Sequence, residues 1–98
     1  MLIRIVRMTF RPEEVDAFLE LFEQTKEKIR HFEGCSHLEL MRDYNQPNVF
    51  STYSKWRSQE DLNNYRASAL FAQVWKETKS KFAEKPIAFS LKEFVKVD

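Results

Sequence analysis

The chain has 98 residues, 43% of them hydrophobic and 32% charged, and its sixteen basic and fifteen acidic side chains leave a net charge of +1. This length fits one domain covering residues 1–98, and the near balance of charge gives no reason to expect nucleic acid or an anionic membrane as a partner. With one cysteine, no metal-binding spacing, no signal peptide and no run of roughly 18 apolar residues, we expect a cytoplasmic protein without disulfide, metal site or membrane segment.

The first third of the chain predicts a strand followed by a helix. Residues 2–10 are rich in apolar and β-branched side chains and contain no helix cap, which is typical of a strand. The segment Arg11-Pro12-Glu13-Glu14 then places proline in a first helical turn with acidic residues behind it. Apolar side chains recur at helical spacing after it, which indicates an amphipathic helix that ends near His31, with Gly34 as its stop.

The middle of the chain predicts a β-hairpin. Residues 35–42 alternate weakly between apolar and polar side chains, as a strand does, and residues 49–56 are rich in strand-forming types. Residues 43–48 form a turn cluster that contains proline, two asparagines and an aspartate. The two strands are therefore expected to pair as a hairpin through this loop.

Two serines mark helix starts in the last part of the chain. Ser58 precedes Asp61 by three positions, a near match to a capping box, and Ser68 restarts the helical pattern after a break. Pro86 ends that pattern, and residues 87–97 alternate as a last strand. The order β-α-β-β-α-β predicts an α+β, ferredoxin-like fold, with a four-stranded antiparallel sheet and both helical regions on one face.

Apolar side chains occupy both sides of the first and last predicted strands. In the first strand Ile3 and Ile5 alternate with Val6, Met8 and Phe10. The helices cover only one side, so apolar residues on the other side need a second cover. We therefore predict that two copies pair through this sheet face as a homodimer, the alternative being a scatter of surface hydrophobic residues.

The segment Lys55-Trp56-Arg57-Ser58-Gln59-Glu60-Asp61-Leu62, the later Ser68-Ala69-Leu70-Phe71 and the pair Gly34-Cys35 together resemble the antibiotic biosynthesis monooxygenase domain. The resemblance covers nearly the whole chain and implies a dimeric α+β barrel formed by two packed sheets. It also implies an activity among cofactor-independent oxygenases of polycyclic aromatic or quinol substrates, or among heme-degrading monooxygenases. Fold alone does not choose between these activities.

Key positions of the better-defined branches hold other residues here. The asparagine, tryptophan and histidine of the heme-degrading branch correspond to Val6, Tyr65 and Trp75, so the resemblance implies no heme ligand. Many other members of the family carry a histidine, a serine and a second histidine where this chain has Tyr65, Ser68 and Leu70, so only the serine is present here. We therefore expect no cofactor and no histidine-assisted proton transfer from those positions.

His37 is the candidate catalytic residue, because an imidazole exchanges protons near neutral pH. On a strand it shares a side with Glu39 and Met41. If that side faces the helices, His37 enters a pocket, and if it does not, His37 lies at the dimer interface. Nothing near it in sequence completes a proton relay.

Aromatic residues supply a candidate binding cleft. Tyr65 and Trp75 are about three helical turns apart and could line a cleft with Tyr53 and Trp56 that accepts a flat aromatic ligand. The alternative is that these rings fill the core. Arg7, weighed together with Arg4 and Arg66, is the candidate partner for a substrate oxyanion.

The leading hypothesis is a cofactor-independent, monooxygenase-like protein that acts on or binds a small aromatic or quinone compound. The alternative is a non-catalytic, ligand-binding or stress-associated dimer with the same fold. The sequence leaves both open, and with them whether the chain is an enzyme.

Overall fold

The computed structural model describes residues 1–98 and confirms the predicted α+β architecture. One turn of 3-10 helix over Pro12–Glu14 leads into the first long helix, as the proline predicts. The elements are β1 (Leu2–Thr9), α1 (Val15–Arg30), β2 (Cys35–Arg42), β3 (Val49–Trp56), α2 (Gln59–Arg66), α3 (Ala69–Lys79) and β4 (Ile87–Lys92). None of the helices combines the length and hydropathy that crossing a membrane requires.

Both serine caps are confirmed. The Ser58 hydroxyl accepts a hydrogen bond from the Asp61 backbone N–H at 3.1 Å, and the Ser68 hydroxyl accepts one from the Phe71 N–H at 3.1 Å. Each bond satisfies an N–H that has no partner within its helix. The second helical region is therefore two helices, α2 and α3, that meet at Ala67.

The four strands form one antiparallel sheet in the order β2-β3-β1-β4. All three helices lie on one side of it. Because successive side chains of a strand point to opposite faces, every second residue of β1 meets the helices. Met8 and Phe50 pair across strands and pack with Phe10 and Phe18, while Trp56 anchors a second cluster nearer the start of β1.

The last strand is shorter than predicted. The sequence pattern extends to Val97, but β4 ends at Lys92. Lys92 pairs with Leu2, the first residue of β1, so the residues after it have no neighbouring strand within the chain. Residues 93–98 follow without regular structure, and alternation alone could not reveal where the partner strand begins.

We call the side of the sheet without helices the open face. Its β4 residues are large and apolar, and they alternate with Ala88 and Ser90 on the helix side. Ile87 is 55% exposed, Phe89 42% and Leu91 50%, opposite Arg7, Ile5 and Ile3 of β1. The prediction that this face carries apolar side chains is confirmed, and the pairing of two copies through it stays a prediction.

Candidate functional site

A cavity of about 230 Å³ lies between the sheet and the helices. Most of its lining residues are hydrophobic, and the lining comes from all four strands, all three helices and the α3–β4 connection. The volume is below the roughly 300–1,000 Å³ of typical drug-sized ligand sites, so it suits a small ligand of one or two rings.

The helical part of the lining follows from residue spacing. Phe71, Val74, Trp75 and Thr78 of α3 recur at intervals of three and four, which places them on one helix face. Thr78 directs its hydroxyl to the Val74 carbonyl at 2.7 Å, so its polar group is satisfied inside the helix. This face of α3 therefore presents mainly apolar surface to the cavity.

Tyr65, at the end of α2, is a buried polar residue in the wall of the cavity. Its ring stacks on Trp56 with a centroid distance of 4.9 Å and meets the edges of Phe32 and Phe71 at 5.3 and 5.2 Å. The residue is only 9% exposed, and burial raises the pKa of its phenol well above the ordinary value. Tyr65 is therefore neutral at physiological pH and can donate a hydrogen bond.

The Tyr65 hydroxyl makes no hydrogen bond within the chain. No fully buried side-chain nitrogen or oxygen lacks a partner, so the Tyr65 hydroxyl oxygen keeps some accessible surface, and Tyr65 is one of the residues that line the cavity. By contrast, the neighbouring Ser54 hydroxyl is occupied, because it accepts a hydrogen bond from Trp56 Nε1 at 3.0 Å. Tyr65 thus offers a free donor to a ligand in the cavity.

Two arginines border the cavity, Arg4 from β1 and Arg66 from the last turn of α2. Arg4 Nη1 donates to Ser90 Oγ of β4 at 3.1 Å. Burial and the nearby positive charge of Arg66 lower the pKa of Arg4. No aspartate, glutamate or histidine lines the cavity, so it is electropositive and contains no ordinary general base.

The structure divides the six predicted site residues between two places. Trp56, Tyr65 and Trp75 line the cavity, although Tyr65 and Trp75 belong to different helices. The other three, His37, Tyr53 and Arg7, lie on the open face. The expectation that Tyr53 and Arg7 lie at the cleft is therefore corrected by the structure, and the position that was left open for His37 is the one away from the cavity.

Strand geometry explains this division. Arg7 and Tyr53 each lie between two residues that face the helices, so alternation turns them away from the cavity. A bulge between Cys35 and His37 changes the pairing, so that Cys35 opposes Trp56 but His37 opposes Lys55. His37 thus leaves the helix side that Cys35 still faces.

His37 has its own partners on the open face. Its Nε2 lies 3.1 Å from Glu39 Oε1, and its ring meets the Tyr53 ring edge-on at 5.2 Å. Of the two positions considered for His37, the structure gives the one outside the pocket. The pair is half-exposed, and neither residue lines the cavity.

Sequence reasoning chose Arg7 as the oxyanion partner, whereas Arg4 and Arg66 reach the cavity. Arg7 lies 3.8 Å from Asp43 in an ion pair on the open side. The signal that would have selected Arg4 was present, because it shares its strand side with Val6 and Met8. Arg66 follows Tyr65 directly, and only the folded helix shows that both border one space.

The cavity does not fit heme bound through a protein ligand. Val6, Tyr65 and Trp75, which stand at the heme-degrading positions, all line the cavity, but none supplies an imidazole. No group of three or more His, Cys, Asp or Glu side chains is placed to hold a metal ion.

Comparisons with known proteins agree with this architecture. The family model described as antibiotic biosynthesis monooxygenase matches residues 1–77. No curated protein matches the chain.

Solved structures share the fold at low sequence identity. A crystal structure of an antibiotic biosynthesis monooxygenase is 21% identical, with a TM-score of 0.90 over 97% of this chain and 100% of that one. A conserved protein of Methanosarcina mazei Go1 is 18% identical, with a TM-score of 0.89 over 96% and 94%. A Mycobacterium tuberculosis protein is 16% identical, with a TM-score of 0.88 over 99% and 98%.

Proposed function

Because this chain belongs to the antibiotic biosynthesis monooxygenase family, we propose that it is a monooxygenase-like protein that binds a small aromatic or quinone-type compound and oxidises it without a cofactor. The observation that carries the proposal is the cavity beneath the helices, where Trp56, Tyr65 and Trp75 offer flat apolar surfaces. Aromatic rings pack favourably against such surfaces in offset or edge-on geometry. The free Tyr65 hydroxyl adds a directional contact for an oxygen atom on the ligand.

Oxidation without a cofactor requires a substrate that reduces dioxygen itself. When a ring CH₂ group becomes C=O in this way, one oxygen atom stays in the product and the other leaves as water. The substrate supplies the electrons, and its anion supplies them more readily than its neutral form. The chain's own residues would orient the substrate, exclude water and favour the anion by means of nearby positive charge.

The second candidate function is ligand binding without turnover. It is favoured by one observation, namely that no imidazole or carboxylate lines the cavity to take up a proton. In this case the protein would hold an aromatic compound in the same place and release it unchanged. The two candidates therefore share a site and differ only in whether oxygen is consumed.

Oxygen uptake with a panel of one-ring and two-ring hydroquinones, such as benzohydroquinones and naphthohydroquinones, tests the first candidate. Ala88 lines the cavity from the edge strand β4, so Ala88→Phe should fill it and abolish any uptake above the buffer rate. Ala83→Phe is the matched control, because Ala83 is exposed and does not line the cavity. Uptake that survives in Ala88→Phe would exclude this cavity as the site.

Two further measurements separate the alternatives. His37→Ala tests the sequence-based catalytic prediction, and we expect the wild-type rate because His37 lies across the sheet from the cavity. Both tryptophans of the chain line the cavity, so quenching of their fluorescence by a naphthoquinone reports entry directly. Quenching without oxygen uptake for any substrate would favour the non-catalytic candidate.

We also propose that two copies form a homodimer through the open face. The support is the apolar strip on β4 and β1, where Ile87, Phe89 and Leu91 stand beside Ile3 and Ile5. Exposed apolar side chains in one contiguous strip are unusual for a soluble monomer and typical of an interface. A two-fold pairing would place each strip against its copy.

A further inference from the structure

The charged groups at the border of the cavity distinguish between neutral and anionic aromatic ligands. Its border contains two guanidinium groups, Arg4 and Arg66, and no carboxylate. A neutral aromatic ligand would gain hydrogen bonds from these groups but no charge–charge attraction. An anion would gain from both charges, and more from the half-buried Arg4 than from the exposed Arg66, because solvent screens an exposed charge more strongly.

The two cavity arginines also differ from the other arginines in their partners. Arg7, Arg11 and Arg57 form ion pairs with acidic side chains, and Arg30 and Arg42 donate to backbone carbonyls. Arg4 contacts only the neutral hydroxyl of Ser90, and Arg66 has no hydrogen-bond or ion-pair partner. Arg4 and Arg66 are therefore the two arginines that have neither a carboxylate nor a backbone carbonyl as a partner within the chain.

A third polar group without a partner belongs to a residue that lines the same cavity. The Tyr65 hydroxyl is a donor without a partner on a side chain that is about nine-tenths buried. It belongs to the residue directly before Arg66, at the end of α2. Two cations and one neutral donor around an apolar cavity form a set that complements an oxyanion on a ring.

Resting on the proposed function of this cavity, we infer that its ligand is a planar aromatic monoanion, with its oxyanion held by Arg4 and Arg66 and its ring against the aromatic wall. The Tyr65 phenol, kept neutral by burial, donates to the same oxygen or to a second oxygen on the ring. The chemical class is an aromatic carboxylate or a phenolate, both of which present a delocalised oxyanion.

The absence of a base in the cavity gives this inference a consequence for protonation. With no His, Asp or Glu in the lining, a phenol has to lose its proton to water. The two guanidinium groups would lower the pKa of the bound phenol, because they stabilise its anion. Selectivity would therefore favour acidic ring systems over equally shaped neutral ones.

Calorimetric titration with an isosteric pair tests the charge directly. 2-Naphthoate and 2-naphthamide have the same ring and nearly the same shape, and differ in charge. We expect wild-type protein to bind the carboxylate at least about tenfold more tightly than the amide, the size of one or two charge-assisted contacts. Binding of 2-naphthol that strengthens as pH approaches the phenol pKa would identify the phenolate, and tight carboxylate binding alone would identify the carboxylate.

Arginine variants assign the effect. Arg66→Gln and Arg4→Gln should each reduce the carboxylate-to-amide ratio severalfold, and together they should bring it near one. Arg7→Gln is the matched control, since it lies on the same strand but on the open face, and should leave the ratio unchanged. Arg66 is exposed at a helix end, so its variant should fold normally, and the wild-type ratio needs no variant at all.

The outcomes separate this inference from the function on which it rests. Equal binding of acid and amide would overturn the anion preference and leave an aromatic-binding cavity standing. Failure of the acid, the amide and the naphthol to bind at millimolar concentration would overturn both. A strong preference for the carboxylate that persists in the Arg4→Gln, Arg66→Gln double variant would also overturn the inference, because other residues would then bind the oxyanion.

Discussion

The two faces of the sheet are made from the same strands but differ in how much of their apolar side chains is exposed. On the helix side, Met8, Phe50 and Trp56 are at most 3% exposed. On the open side, Phe89 and Leu91 of β4 are 42% and 50% exposed although they are equally apolar. A strand thus uses one set of alternate residues to build the core and cavity, and the other set to present a surface.

The open face is itself divided. The half formed by β4 and β1 is mainly apolar, whereas the half formed by β2 and β3 carries His37, Glu39 and the half-buried Lys55. Polar pairs of this kind form the rim of many interfaces, and apolar residues form their centre. If two copies pair here, the contact should therefore centre on β4 and β1, with His37 towards the edge.

Removing a large residue from each face should separate their roles most strongly. Trp56 is 1% exposed, stacks on Tyr65 and hydrogen-bonds Ser54, so Trp56→Ala should lower the free energy of unfolding by about 3–5 kcal/mol. Lys55→Ala, at the residue directly before Trp56 in the same strand, should change the free energy of unfolding by less than about 0.5 kcal/mol. Urea denaturation measures both.

A small loss for Trp56→Ala would break the comparison. It would mean that the helix side is loosely packed around the cavity and that its aromatic wall contributes little to stability. The residues around the cavity would then be loosely packed and able to rearrange, rather than held in fixed positions.

A charge on the open face tests its role in association. Phe89→Asp would place an unpaired carboxylate at the centre of the apolar strip, so we expect the dimer dissociation constant to rise by about two orders of magnitude, or about 3 kcal/mol. Tyr44→Asp, at a 99% exposed position in the β2–β3 loop, is the control. Sedimentation equilibrium measures both.

This test can fail in a clear way. Wild-type protein that sediments as a monomer at micromolar concentration would remove the proposed homodimer. A dimer that is unaffected by Phe89→Asp would show that the chains associate through another surface. The apolar strip would in both cases need a different explanation.

Local sequence signals predicted the helices and strands, whereas the side of the sheet on which a candidate site residue lies depends on long-range strand pairing. Ser58 and Ser68 act within three residues of themselves, so their caps could be predicted from sequence. The side on which His37 lies depends on a bulge at its neighbour Ser36, which exists only when β2 has paired with β3. The end of β4 likewise depends on where β1 begins.

The cavity was partly predictable for the same reason. Trp56, Tyr65 and Trp75 were identified by their residue type, which is a local feature, whereas the single straight helix assumed for Tyr65 and Trp75 is two helices. The choice of Arg7 over Arg4 was wrong as a placement in the cavity, although the alternation of β1 distinguishes the two. The role of Arg66 needed the folded contact between the end of α2 and the sheet.

The two faces of the sheet should also differ, by a smaller amount, in how alkaline pH changes the stability of the protein. Burial raises the folded-state pKa of Tyr65 above the value near 10 that an unfolded tyrosine has. The stability that this shift contributes is complete below pH 10 and is lost as pH rises towards the folded-state pKa. Tyr65→Phe lacks this loss, so its melting temperature should gain on wild type as pH rises from 9 to 11.

The neutral-pH difference sets the baseline for that measurement. Since the Tyr65 hydroxyl has no partner in the chain, Tyr65→Phe should change stability by less than about 1 kcal/mol near pH 7. Tyr53→Phe removes the same group from the open face and is the matched control. Melting curves of Tyr65→Phe and wild type that stay parallel up to pH 11 would mean that the hydroxyl is well solvated, and the enclosed donor on which the cavity's ligand contact depends would then be lost.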